Sequence, residues 1–396
     1  MTAHASAKDM GPSSLLDFQT RISEYFNHAH AQNSINHTYL FVGDDGCGID
    51  EMIERLAYWL LCSDDKKIAP EAPITIPASI SHKTHPDLLF FEPESARGYV
   101  VSQAAQILEA ASTPPFTSPC KLIVIRDADA LGTSCANALL KTLEEPAASV
   151  YFVLVTHAQE RVLPTIVSRC QTLIFEAISG EDACAYCMHH THASTAQAKL
   201  ALYLTQSPVR ACTFLSSPQW MNIRRDVMQF FAHIEEADGW DAVSCVEAIA
   251  QELASLSAPV QAELDEEQQR SHEFLPTGEY KKLELSCKRR LARLEREHML
   301  LIFDICAAYM RDIFSCAYGA SALINDDDAQ LIESLAKKLA PMPGEEGHLR
   351  LLALLERMQA SVHEAKQELF AVSSSQQALE CLLIELSLCM RAGMPS

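Results

Sequence analysis

The apolar run Val150–Val155, VYFVLV, constrains the fold of this chain more than any other stretch. Consecutive β-branched and aromatic residues without polar alternation are typical of a strand that is covered on both faces in a parallel sheet. Thr156 and His157 follow this run, at the position where open α/β sheets place ligand contacts. An amphipathic helix is predicted before it and ends at Pro146, with apolar positions at Ala136, Leu139, Leu140 and Leu143.

Other short apolar runs continue this pattern through the first half of the chain. They predict strands at Thr38–Val42, Leu88–Phe91, Lys121–Ile125 and Thr172–Phe175, with helices between them. Beyond about residue 177 the pattern becomes helical throughout. We therefore predict an α/β fold with a parallel sheet, followed by helical domains.

Composition restricts the possible functions. The chain has 396 residues and a net charge of −21, which argues against a large surface that tracks nucleic-acid phosphates. Its 14 cysteines are scattered without a disulfide-like framework, as is usual in a reducing cytosol. It has neither an apolar run of about 18 residues nor an amino-terminal hydrophobic signal region. We therefore expect a cytoplasmic protein that does not contact a membrane.

A glycine-rich turn follows the first predicted strand and precedes a helix, which is the order of a P-loop. Gly43, Gly46 and Gly48 match the P-loop spacing. A working loop continues with a lysine that contacts the phosphates and a hydroxyl that binds magnesium, but here Ile49 and Asp50 take these two places. Isoleucine supplies no cation, and aspartate brings negative charge towards a polyanion. We therefore expect no tight ATP binding.

Two segments carry a resemblance to a known family. Residues 137–146 read NALLKTLEEP, and residues 163–170 read LPTIVSRC. Together they resemble the AAA+ subunits of bacterial DNA polymerase clamp loaders, the delta-prime subunits most of all. In that family the arginine of Ser-Arg-Cys is a finger that reaches the nucleotide of a neighbouring subunit. The resemblance implies this role for Arg169, between Ser168 and Cys170.

The resemblance also implies the domain organisation. A RecA-like AAA+ domain with a degenerate P-loop would occupy residues 1–177, a small helical lid 178–217, and a helical collar for oligomerisation 218–396. In the clamp-loader register the two acidic Walker B positions hold Arg126 and Asp127, so the magnesium-binding carboxylate is replaced by a cation. Relatives carry a four-cysteine zinc module, of which only Cys62 remains, followed by the proline-rich segment Ile68–Ser79. We expect no metal and no cofactor in this chain.

These features together imply a non-catalytic clamp-loader subunit that supplies Arg169 in trans to a neighbouring ATPase during sliding-clamp loading. The implied partners are the gamma/tau and delta subunits and, through the complex, the sliding clamp and primed DNA. ATP and magnesium would be bound by the neighbour. Two alternatives remain open: an active gamma/tau-type ATPase with a divergent loop, and an AAA+-derived adaptor outside replication.

Several local patterns leave alternatives open. Cys184, Cys187, His189, His190 and His192 could bind a metal or lie on a solvated helix face. A basic strip within residues 281–296 could contact DNA or be solvated, and it comprises Lys281, Lys282, Lys288, Arg289, Arg290, Arg293 and Arg296.

Two expectations concern individual helices. Residues 14–31 are predicted to form a single amphipathic helix. Near the end of the chain another amphipathic helix is predicted to begin at Leu349, Leu352, Ala353, Leu355 and Glu356.

Overall fold

The computed structural model describes residues 12–62, 76–81, 83–94, 98–272, 277–320, 322–339, 345–371 and 375–393. The chain divides into two compact units, Met1–His189 and His190–Ser396. The domain limits inferred from the family resemblance, at residues 177 and 217, stay predictions. Most of the proline-rich segment Ile68–Ser79 and the amino-terminal residues 1–11 lie outside the described residues.

The first unit is organised around a five-stranded sheet in the order β2-β3-β4-β1-β5. Every pair of neighbouring strands is parallel. The strands are β1 Thr38–Val42, β2 Leu88–Phe91, β3 Lys121–Ile125, β4 Val150–Thr156 and β5 Gln171–Ile174. The predicted parallel α/β fold is therefore confirmed, and the last strand begins one residue earlier than predicted.

Helices cover both faces of this sheet. On one face Tyr39 and Phe41 pack with residues of α1 and α2, and on the other Leu40 and Val42 pack with residues of α4 and α5. Alternate residues of one strand therefore enter two different cores, which explains the absence of polar alternation in the strands. The helices of this part are α1 Thr20–Ala31, α2 Ile49–Leu61, α3 Ala78–Ser81, α4 Val101–Ser112, α5 Thr133–Glu144, α6 Pro164–Val167 and α7 Gly180–Thr191.

The single helix predicted for residues 14–31 is wrong. The chain forms a short 3₁₀ helix at Leu15–Phe18 and then starts again as α1. Gln19 lies at the break, where its side-chain amide donates to the carbonyl of Glu176 at 2.7 Å and accepts from the N–H of Glu176 at 3.0 Å. These two long-range hydrogen bonds fix the Gln19 side chain at the break, and no local pattern predicts them.

The remainder of the chain is helical, as predicted. Among the described residues, one helix ends at Ala232 and the next begins at Gly239, and another ends at Ala317 before a 3₁₀ turn at Asp326–Asp328. None of the helices in the described ranges combines the length and apolar composition that crossing a bilayer requires. These helices are α8 Thr195–Thr205, α9 Pro208–Ser216, α10 Pro218–Ala232, α11 Gly239–His272, α12 Thr277–Ala317, α13 Ala329–Leu339, α14 Glu345–Ala371 and α15 Ser375–Gly393.

Helix α14 forms where the sequence predicts a helix. Two of the leucines at which its apolar face was predicted to begin are exposed to solvent. Leu349 is 61% exposed and Leu352 is 46% exposed. The buried positions are Leu351, Leu354, Met358, Val362, Ala365 and Leu369. Leucines occupy both faces in the first turns of α14, so the sequence did not reveal which face is buried.

Candidate functional site

The glycine-rich turn lies at the carboxyl edge of the sheet. Strand β1 lies between β4 and β5, and Val42 is in register with Thr156 on one side and Ile174 on the other. The N–H of Gly43 donates to the carbonyl of Thr156 at 3.1 Å. The loop therefore follows an interior strand of the sheet, at the edge where α/β proteins bind ligands.

Two glycines shape the turn that leads into α2. Gly46 has φ +83° and Gly48 has φ +98°, and both values lie in the left-handed region that side chains disfavour. Gly48 is the residue that caps the amino end of α2. The turn thus keeps the backbone form of a strand–loop–helix unit although its side chains have changed.

The space at the start of the loop is filled by the protein itself. A Cβ atom placed on Gly43 would lie 2.7 Å from Sγ of Cys47 and 2.9 Å from Cβ of Phe175. Cys47 is 3% exposed, and burial raises the pKa of its thiol to about 12. The Cys47 side chain is thus a neutral packing group, and it holds the loop against the core.

Ile49 occupies the position of the P-loop lysine. It is 6% exposed and belongs to the hydrophobic core on the α2 side of the sheet, together with Met52 and Ile53. A lysine at this position contacts the β- and γ-phosphates of ATP in working loops. The Ile49 side chain instead packs into the core, where it cannot contact a nucleotide.

The two substituted metal positions contact each other. Nη2 of Arg126 forms an ion pair with the Asp50 carboxylate, and Nε of Arg126 lies 3.7 Å from Oε1 of Glu92. The Arg126 side chain is 18% exposed. Asp50 stands in the P-loop and Arg126 at the end of β3, 76 positions apart in the chain. The tertiary fold therefore brings together the two residues that sequence analysis had singled out separately.

This pair does not fit magnesium-ATP. In a working P-loop enzyme a hydroxyl and a carboxylate at these two positions hold the metal ion. Here the Asp50 carboxylate is already neutralised by a guanidinium, and that guanidinium would repel a divalent cation placed beside it. The next Walker B position, Asp127, lies in a tight turn with φ +48°, and its carbonyl accepts the N–H of Ala130 at 2.8 Å.

The polar residues that follow β4 also have internal partners. The Thr156 hydroxyl is fully buried and donates to Oδ1 of Asp129 at 2.8 Å. Arg161 lies 3.5 Å from the same carboxylate, and Nε2 of His157 lies 3.8 Å from Oδ1 of Asp45. Sequence reasoning singled out neither Asp129 nor Glu92, because nothing in their local patterns marks them.

The Ser-Arg-Cys segment follows the short helix α6. The N–H groups of Ser168 and Arg169 donate to the carbonyls of Pro164 at 3.0 Å and Ile166 at 2.9 Å, so the backbone of the segment is fixed by α6. The Ser168 hydroxyl donates to the carbonyl of Thr165 at 3.2 Å. Cys170 packs against the core, and burial raises the pKa of its thiol to about 12. Arg169 alone contributes a charge.

The Arg169 guanidinium lies against the end of α5. Its Nε donates to Oε2 of Glu144 at 2.9 Å, and its Nη2 lies 2.8 Å from the same oxygen. Its Nη1 donates to the carbonyl of Thr165 at 2.9 Å. The Arg169 side chain is 28% exposed and that of Glu144 is 58% exposed. Arg169 is therefore oriented by two contacts at the protein surface and takes no part in the Asp50–Arg126 pair.

The cysteines and histidines in α7 and just after it differ in burial. Cys184 and Cys187 are buried, whereas His189, His190 and His192 are exposed. Among the residues that the structure describes, no three His, Cys, Asp or Glu side chains lie close enough to hold a metal ion.

The basic strip of residues 281–296 lies on α12, and part of its charge is paired within that helix. Lys288 lies 2.6 Å from Glu284, and Arg293 lies 2.9 Å from Glu297. Arg289 and Arg290 are exposed. Pairs at this spacing are usual on a solvated helix face.

The parallel sheet with its strand order and the glycine turn after β1 are those of an AAA+-like α/β fold. Residues 18–179 match the family described as DNA polymerase III, delta subunit. A delta' subunit from Bacillus subtilis is 27% identical over 223 residues, which are 56% of this chain and 67% of that protein. A delta' subunit from Pseudomonas aeruginosa is 33% identical over 135 residues, 34% of this chain and 41% of that protein.

Through this region the chain is similar to delta' subunits of bacterial DNA polymerase III. The tau subunit of Bacillus subtilis is 28% identical over 163 residues, which cover 41% of this chain and 29% of that protein. The Pseudomonas delta' and Bacillus tau matches thus span less than half of those relatives.

Proposed function

We propose that this chain is a non-catalytic clamp-loader subunit whose Arg169 completes the ATP site of an adjacent subunit. The observation that carries the proposal is the Asp50–Arg126 ion pair. It fills the two positions at which a working subunit holds magnesium, and Ile49 removes the phosphate-binding cation at a third position. The chain has therefore lost its own ATP chemistry, and ATP and magnesium belong to the neighbour.

The role of Arg169 is electrostatic. Negative charge spreads over the phosphoryl oxygens during transfer, and an arginine supplied from outside the site stabilises it, an effect of about 10³–10⁵ in rate in well-studied NTPases. Arg169 is suited to this because it is partly exposed and its backbone is fixed by α6. The neighbour's site would then be complete only in the assembled loader, which couples hydrolysis to assembly.

The partners that follow from this role are the gamma/tau and delta subunits and, through the complex, the sliding clamp and primed DNA. The delta' and tau names of the relatives support a place among these subunits. The cytoplasmic location expected from the sequence agrees with such a role. Direct contact of residues 281–296 with DNA is not part of the proposal, since part of that strip is paired within α12.

Equilibrium ATP binding tests the first half of the proposal. The isolated chain should bind neither ATP nor magnesium-ATP in the micromolar range, because Asp50 and Arg126 neutralise each other and Ile49 is buried. A clamp-loader ATPase subunit serves as the positive control in the same titration. Micromolar affinity would instead favour the alternative of an active gamma/tau-type ATPase.

Substitution of Arg169 tests the second half. Arg169→Ala should leave the loader assembled and lower its DNA-stimulated ATPase, with a loss on the order of 10³ at the site that Arg169 serves. Arg21→Ala is the matched control, because Arg21 belongs to the same unit and its side chain is 91% exposed. An unchanged ATPase rate in the Arg169→Ala loader would remove the proposed role.

Purification of the native complex distinguishes a clamp-loader subunit from an adaptor that acts outside replication. We expect the other clamp-loader subunits and the sliding clamp to copurify with this chain, and mass analysis of the complex identifies them. A complex that contains neither would favour an adaptor outside replication.

A further inference from the structure

The partner of Arg169 within its own chain is Glu144, the last residue of α5. One carboxylate oxygen, Oε2, accepts the Nε–H of Arg169 at 2.9 Å and lies 2.8 Å from Nη2. The Thr165 carbonyl accepts a second hydrogen bond, from the Nη1–H of Arg169, at 2.9 Å. A guanidinium carries five N–H groups in a rigid plane, so these contacts orient the plane and use only part of its donors.

Helix stability does not explain a glutamate at this position. The carboxyl end of a helix carries partial negative charge, and an acidic side chain there is unfavourable. Lys141, in the same last turn of α5, has the favourable sign. Glu144 is also 58% exposed, so it is not needed to fill a core. The contact that best explains Glu144 is therefore its ion pair with Arg169.

We infer that Glu144 is a positioning residue for Arg169, which rests on the function proposed above. An arginine side chain has many rotamers, and a finger that must reach a phosphate in another subunit loses less freedom when it is already oriented. Glu144 fixes the Nε side of the guanidinium, and the remaining N–H groups can donate to a phosphate. The carboxylate also balances the charge of Arg169 while no neighbour is present.

The exposure of this pair suits such a task. Ion pairs between exposed groups are weak, because water screens them. A doubly charged phosphate group can therefore compete for Arg169 without a large penalty for loosening its contact with Glu144. A deeply buried carboxylate would instead hold the arginine too firmly for it to serve a neighbouring site.

The test compares Glu144→Ala and Glu144→Gln with Glu145→Ala in the assembled loader. Glu145 is the adjacent residue and is also exposed, so it controls for the loss of a negative charge at the end of α5. We expect Glu144→Ala to lower kcat by about tenfold at the site that Arg169 serves, with little change in KM for ATP. Glu144→Gln keeps the size and one acceptor oxygen, so its decrease should be smaller. Glu145→Ala should match the unsubstituted loader.

A second comparison separates this inference from the proposed function. The double variant Arg169→Ala, Glu144→Ala should be no slower than Arg169→Ala alone, because Glu144 acts only through the arginine. If Arg169→Ala itself has no effect, the proposed function fails. If Arg169→Ala slows the loader while both Glu144 variants keep the full rate or exceed it, only the inference about Glu144 is overturned. Glu144→Gln keeps the test valid if Glu144→Ala assembles poorly.

Discussion

Asp87 is a fully buried carboxylate that orders the loop before β3. It accepts hydrogen bonds from the N–H of Phe116 at 2.5 Å, the N–H of Thr117 at 2.8 Å and the N–H of Ser118 at 2.9 Å. The Thr117 hydroxyl donates to it as well, at 3.0 Å. Burial would raise the pKa of Asp87, but these hydrogen bonds outweigh burial and lower the pKa below its ordinary value.

We predict that Asp87→Asn lowers the free energy of unfolding by about 2 kcal/mol at neutral pH, because an amide cannot accept all of these hydrogen bonds. Hydrogen exchange at residues 116–118 should become faster in the same variant. Asp44→Asn is the control, since Asp44 is exposed, and it should change neither quantity. Unaltered exchange in Asp87→Asn would contradict the assignment of these contacts.

The same carboxylate gives a prediction of pH dependence. The pKa of Asp87 is lower in the folded chain than in the unfolded chain. Its stabilisation is therefore present above the unfolded pKa of about 3.9 and is lost as the pH falls through the folded pKa. The stability difference between the unsubstituted chain and Asp87→Asn should be constant from about pH 8 to pH 5 and shrink below about pH 4. Denaturant unfolding across this range measures it.

The P-loop-like element, residues 43–50, has kept its backbone shape while its interior has been filled. Gly43 approaches Cys47 and Phe175, Ile49 packs into the core, and Asp50 contacts Arg126. Each of these contacts stabilises the loop from within the chain. The element therefore holds its shape without a ligand.

Gly43→Ala tests how tightly this loop is closed. Since the added Cβ would lie 2.7 Å from Sγ of Cys47 and 2.9 Å from Cβ of Phe175, we expect a loss of about 1–3 kcal/mol in the free energy of unfolding. Gly180→Ala is the matched control, because no atom lies within 4 Å of a Cβ at that position. It should be neutral or stabilising by up to about 1 kcal/mol. Equal effects of the two substitutions would show that the loop is open.

On the scale of the whole molecule, the second unit contains a partly buried ionic cluster of its own. Arg224 of α10 is 12% exposed and bonds both carboxylate oxygens of Asp327 at 2.7 Å, and it lies 2.5 Å from Asp328. The Tyr309 hydroxyl of α12 donates to the same Asp328 carboxylate. Burial would lower the pKa of Arg224, but its contacts with Tyr309 and these carboxylates raise it, so the arginine stays charged.

We predict that Arg224→Ala lowers the stability of the second unit by about 2–3 kcal/mol, because it leaves the partly buried Asp328 carboxylate without its cation. Arg225→Ala is the control. Arg225 is exposed, so its substitution should change the free energy of unfolding by no more than about 0.5 kcal/mol.

In calorimetry we expect two transitions, since the chain divides into two compact units. Arg224→Ala should lower one of them, and Asp87→Asn the other. If both substitutions lower the same single transition, the two units do not unfold independently.

Local patterns in the amino-acid sequence were enough to predict the sheet and the resemblance to clamp-loader subunits. Four of the five strands begin at the predicted residue, because a run such as Leu88–Phe91 or Lys121–Ile125 is stable only when both of its faces are covered. The replacement of the P-loop lysine by Ile49 and the presence of Arg169 in Ser-Arg-Cys were also readable. All of these are local patterns, in which a few neighbouring residues carry the whole signal.

The pairing of charged residues depends on the fold and could not be predicted from the sequence. Asp50 pairs with Arg126 across 76 positions and Glu144 with Arg169 across 25, and such pairs depend on which strands are neighbours in the sheet. The break at Gln19 and the buried face of α14 have the same origin, since contacts with distant parts of the chain outweigh the local apolar pattern. The local sequence pattern shows whether a residue is apolar or charged. The residue that it contacts depends on how distant parts of the chain pack together.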